Sequence, residues 1–95
     1  RWVVHTVGPV YSTSEDRSEV LASCFTESLR VAEALGARSV AFPAISTGVY
    51  RWPLDDAARI AARAVTRSSA DVPDIRFVLF DERALSAFQE AFGVA

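Results

Sequence analysis

The sequence has no methionine, a single cysteine, a single histidine and no block of basic residues. Each shortage excludes something. A lone Cys24 cannot close an internal disulfide, which fits a reducing compartment and a cytoplasmic location. As a small residue at helical spacing it is expected in a helix core, not as a nucleophile. One His with no Cys/His cluster and no HExxH pattern supports no metal site, and no cofactor is implied. His5 lies inside an apolar run, so it is expected to be buried and hydrogen-bonded and not to serve as a general base. With a net charge of −2 and no basic stripe, no nucleic-acid surface is expected. No apolar run reaches membrane-spanning length, and no targeting segment is visible. The lack of Met, with Arg1 leading straight into a strand-like run, gives the expectation that the chain is part of a longer protein.

What is present is globular. The chain is 51% apolar, which argues against disorder, and its 95 residues allow one domain with a marginal core. Residues 2–7 are β-branched and aromatic and are closed by Gly8-Pro9, the pattern of a buried strand ended by a turn. From residue 18 the period becomes helical, with Leu21, Cys24, Phe25, Ser28, Val31, Ala32 and Leu35 on one face. Ser18 is expected as N-cap and Gly36 as the C′ residue, for a helix over 19–35. Residues 39–45 form a second strand, which Pro43 suits only near its end. Pro53, Asp55 and Asp56 mark the start of a helix running to about Arg67. Residues 75–80 form a third strand, and Asp81 caps a last helix that buries Leu85, Phe88 and Phe92. The order β-α-β-α-β-α implies an α/β fold with a mostly parallel sheet covered on both faces.

Ligands of such sheets gather at the carboxyl ends of strands. The loop Ser46-Thr47-Gly48-Val49-Tyr50 lies there. Gly48 can adopt positive φ, Ser46 and Thr47 carry hydroxyls, and successive N–H groups can form an anion-binding nest. Tyr50 and Trp52 offer flat surfaces for a sugar ring. The residues alone leave two alternatives open, a phosphate loop or an ordinary βα turn with aromatic packing. The acid pairs Asp55-Asp56 and Asp81-Glu82 both begin helices, so capping accounts for them.

Four segments carry a family resemblance. Val4-His5-Thr6-Val7-Gly8-Pro9-Val10-Tyr11 resembles a strand of macrodomains. Leu21-Ala22-Ser23-Cys24-Phe25 with Ser28-Leu29 looks like the helix that follows that strand. The run from Ser39 through Pro43-Ala44-Ile45-Ser46-Thr47-Gly48-Val49-Tyr50 to Trp52-Pro53-Leu54 is similar to the family's diphosphate-loop signature. Phe77-Val78-Leu79-Phe80-Asp81 is similar to its last strand. The resemblance implies a three-layer α/β/α sandwich with a mixed, mostly parallel sheet, present here in its C-terminal part over residues 1–95. It also implies roles. Ser46, Thr47, Gly48, Val49 and Tyr50 would wrap the diphosphate and distal ribose of ADP-ribose, and Phe80 would stack on adenine. Core packing is the alternative for Phe80. Arg51 stands where the family often has Gly.

The same resemblance implies an earlier half that supplies an acidic contact to adenine, an Asn-rich strand end, a Gly-rich loop and most catalytic groups. One of its strands would lie between the first strand here and the other two. This chain alone is therefore expected to fold poorly and to be inactive. For the whole protein two classes follow: a hydrolase of ADP-ribose esters, such as O-acetyl-ADP-ribose or mono-ADP-ribosylated acidic side chains of proteins, or a reader that binds without turnover. The Pro43-to-Tyr50 run looks closer to the hydrolase branch.

Overall fold

The structure is a computed structural model that describes residues 1–93. Helix α1 spans Ser18–Ala34. It buries Leu21, Cys24, Phe25, Ser28, Leu29 and Ala32, the stripe that a 3.6-residue period dictates. Ser18 is the first helical residue and not the cap. Arg17 holds the cap position without a side-chain bond, and Asp16 Oδ1 accepts the Ser18 N–H at 2.9 Å instead. At the other end Gly36 adopts φ +77°, and the Ala37 N–H reaches the Ala32 carbonyl while the Gly36 N–H reaches Glu33. These crossed bonds satisfy carbonyls that the helix end would leave open, and they need a left-handed residue at position 36. Leu35 lies past the helix end and is exposed.

Strands β1, Ser39–Phe42, and β2, Asp74–Phe77, pair in parallel, with Ser39 opposite Asp74 and Phe42 opposite Phe77. Both stop short of their sequence expectations. Pro43 has no N–H to extend β1; Val78 N–H to the Phe42 carbonyl at 2.8 Å continues the ladder at this end, as Asp74 N–H to the Arg38 carbonyl at 3.1 Å does at the other. Helix α2, Leu54–Arg67, crosses between the strands, with Pro53 at its N-cap in a fixed φ of −56°. Its buried face is almost entirely alanine, which lets α1 and α3 both approach it closely. Helix α3 spans Glu82–Phe92; Asp81 caps it by accepting the Ala84 N–H at 2.9 Å. Ala84 and Phe88 are its buried residues, whereas Leu85 is 45% exposed.

An aromatic chain ties the layers together. Phe25 of α1 meets Phe42 edge-on at 5.2 Å, Phe42 stacks on Phe77 at 5.5 Å, and Phe77 meets Phe88 and Phe92 of α3 at 5.1 and 5.3 Å. The strand residues in this chain share one face of the sheet. Ser39, Ala41 and Arg76, on the other face, are exposed. The helices thus cover one face, and the described residues form an incomplete α/β sandwich.

The expected first strand is not formed. Residues 1–11 make no ladder, and Val3 and Val7 are 80% and 84% exposed. A strand persists only when a neighbouring strand takes its N–H and C=O groups, and among the described residues no strand pairs with this run. The element order is consequently α-β-α-β-α. His5 is exposed for the same reason, against the expectation of a buried imidazole.

Candidate functional site

The chain leaves β1 at Phe42 and takes a series of tight turns before entering α2. Ile45 N–H bonds the Pro43 carbonyl at 3.0 Å, and Thr47 directs both its N–H (3.3 Å) and its hydroxyl (2.8 Å) to Ala44. Arg51 N–H closes on Gly48 at 3.0 Å, and Trp52 N–H closes on Ser46 at 2.9 Å. Two non-glycine residues, Ser46 (φ 69°) and Arg51 (φ 65°), carry the left-handed backbone. Gly48, the expected left-handed position, does not; space around it is what it provides, since an added Cβ would meet nothing within 4 Å.

The loop is anchored at both ends. Trp52 is 3% exposed, with its indole Nε1 donating to Asp56 Oδ2 at 2.9 Å, while Arg59 holds the other carboxylate oxygen at 3.3 Å. Trp52 is therefore an anchor and offers no face to a sugar. Asp56 serves that anchor instead of capping α2. Residues 8–11 brace the other side. The Ser46 hydroxyl donates to the Pro9 carbonyl at 2.7 Å, Tyr11 N–H donates to the Tyr50 carbonyl at 2.9 Å, and the Tyr11 ring meets Trp52 edge-on at 5.3 Å. Cys24 is buried, its thiol directed at the Val7 and Val20 carbonyls, both at 3.5 Å.

Four backbone donors are left over. The N–H groups of Ser46, Gly48, Val49 and Tyr50 meet no acceptor among the described residues. The hydroxyl protons of Ser46 and Thr47 are both spent internally, so what the loop offers outward is backbone. Beside it lies an open cleft of about 670 Å³ whose lining includes Thr47, Gly48, Arg51, Phe80, Asp81 and Arg83. Phe80 is fully exposed and joins no core among the described residues. The cleft thus joins part of the loop to Phe80. Ser46, Val49 and Tyr50 lie outside its lining, with Val49 91% exposed. Sequence reasoning missed the Trp52–Asp56 anchor and the bracing by Pro9 and Tyr11. The i,i+4 spacing of Trp52 and Asp56 was a visible signal for the first; the second, 37 residues apart in sequence, had none.

An α/β crossover unit with a glycine-containing loop and unengaged N–H groups at the carboxyl end of its strand defines a class: α/β proteins that receive ligands at strand ends. Comparison narrows the class. The profile of the family described as Macro domain matches residues 1–61. A macro domain-containing protein of Streptomyces coelicolor is 67% identical over 98% of this chain and 55% of its own length. Another, from Streptomyces nogalater, is 61% identical over the whole chain and 52% of its own length. The solved Oceanobacillus iheyensis macrodomain, as a mutant with ADPR, superposes with a TM-score of 0.87 at 38% identity, covering 94% of this chain and 50% of that one. The Trypanosoma brucei macrodomain in complex with ADP gives 0.76 at 33% identity, covering 92% and 38%. The chain belongs to the macro domain family. It spans about half the length of the relatives it matches.

Proposed function

We propose that this chain supplies the diphosphate and adenine contacts of an ADP-ribose site, and that the whole protein hydrolyses esters of ADP-ribose, either the O-acetyl ester or mono-ADP-ribosyl groups on acidic side chains of proteins. The observation that carries it is the set of unengaged N–H groups of Ser46, Gly48, Val49 and Tyr50, in a loop whose Thr47 and Gly48 line a cleft that also holds the exposed Phe80 ring. Backbone N–H groups bind diphosphate without any basic side chain, and an exposed aromatic at a strand end stacks on a base. The binding of ADPR and ADP by structural relatives supports the same ligand. In this reading Ser46, Gly48, Val49 and Tyr50 donate to phosphate oxygens, Thr47 shapes the turn, and Phe80 takes adenine. The single buried thiol suits a reducing, cytoplasmic setting.

Binding energy from diphosphate and adenine would hold the ester carbonyl in place for attack by water. A reader without turnover is the competing reading. Titration calorimetry of the full-length protein with ADP-ribose tests the binding; acetate release from O-acetyl-ADP-ribose tests the chemistry. Equal affinity for ATP and ADP-ribose would sink the first, and tight binding without acetate release would leave the reader.

A further inference from the structure

We infer that the Arg51 guanidinium is the charge-reading group of the cleft, selecting adenine nucleotides that carry a diphosphate over those with one phosphate or none. The inference rests on the diphosphate-loop reading above and goes beyond it, because that reading uses backbone donors alone. Arg51 lies in the left-handed region, where an L side chain is rarely placed and where glycine would be at ease. Its position is fixed from both sides. Its own N–H is tied to Gly48, and the next residue, Trp52, is buried and bonded to Asp56. The backbone therefore presents this side chain from a constrained point on the cleft wall.

Charge in the cleft is uneven. Arg17, Arg30, Arg59 and Arg76 each hold a carboxylate; Arg51 and Arg83, which line the cleft, are among the arginines without an ion-pair partner among the described residues. Asp81, which also lines the cleft, accepts from the Ala84 N–H. A chain of net charge −2 thus places two arginines free of ion pairs on the cleft wall that Gly48 also lines. A neutral nucleoside draws nothing from that arrangement. A diphosphate draws a good deal, because the guanidinium fork matches two phosphate oxygens and converging donors reinforce one another.

The test is titration calorimetry of the full-length protein with ADP-ribose, AMP and adenosine, each at low and high salt. Arg51→Gln is expected to weaken ADP-ribose binding roughly five- to tenfold, to flatten its salt dependence and to leave adenosine unchanged. Arg51→Lys should keep the salt dependence and lose part of the affinity. Arg51→Gly should lose affinity as Arg51→Gln does while melting at a higher temperature, which separates a ligand role from a structural one. Arg63→Gln, exposed on α2 away from the cleft, controls for net charge and should bind as the parent does. Arg51→Gln binding ADP-ribose with undiminished affinity, or losing adenosine equally, overturns the inference. Failure of the unmodified protein to bind ADP-ribose overturns the diphosphate-loop reading itself.

Discussion

The Ser46 hydroxyl occupies the space that a side chain on Gly8 would need: a Cβ built on Gly8 would lie 2.6 Å from Ser46 Oγ and 2.7 Å from Ile45 Cγ2. Two glycines near the loop therefore have opposite sensitivities. Gly8→Ala should destabilise by about 1–3 kcal/mol through overpacking. It should also weaken ADP-ribose binding, because the loop can relieve the clash only by moving. Gly48→Ala meets no atom and no positive φ, so stability should be unchanged or rise by about 0.4–1 kcal/mol. Its methyl group would nevertheless hold a ligand away from the backbone. Melting curves and calorimetry on the two variants of the full-length protein check both halves of this contrast.

Phe80 separates stability from binding more cleanly still. Its ring is wholly exposed, so Phe80→Ala should leave the melting temperature within the range of an ordinary surface change. Stacking on a base is worth roughly 1–3 kcal/mol, so ADP-ribose affinity should fall about tenfold or more. A large loss of stability with unchanged affinity would return Phe80 to a packing role.

Trp52→Phe keeps most of the buried ring and removes the indole donor to Asp56. The expected cost is about 1–2 kcal/mol, that of one part-buried bond to a charged acceptor. Asp56→Asn in the Trp52→Phe background should then add little, a non-additivity that a double-mutant cycle on thermal unfolding reads directly.

Acid should loosen the start of α1. The nearby Ser18 hydroxyl, together with the Ser18 N–H bonded to Asp16 Oδ1, holds the carboxyl below the usual 3.8. A lowered folded-state value means that the stabilisation is present above the unfolded value and is lost as pH falls through the folded one. The loss should therefore begin below about pH 4 and be absent in Asp16→Ala. Amide exchange at Ser18 across that range shows it. Because Asp16 is exposed, the effect should be local and should shrink in high salt.

The helices were legible in the sequence because their signals are local. The alanine stripe of α2, the Gly36 stop and the Asp81 cap all depend on spacing within a few residues. The strand expected over residues 2–7 failed because strand formation is decided by a neighbour, which composition does not supply. At the site, the position of the loop was readable from the βα order, but its mechanics were not. Positive φ fell on Ser46 and Arg51, because the turn bonds of Thr47, Arg51 and Trp52 set the backbone there. Trp52 looked like a surface ring and is an anchor, since its burial depends on Asp56 and Tyr11 together.

The bonds from Ser46 to Pro9 and from Tyr11 to Tyr50 also govern timing. They join positions almost forty residues apart, the first 37, so the entropy of closing that span must be met before either can form. The helices and the β1–β2 unit can organise without them; the loop acquires its final shape only when residues 8–11 dock. A ligand seated on the loop would in turn hold that segment in place, and the exchange rate of the Tyr11 amide would then report occupancy of a site it never touches.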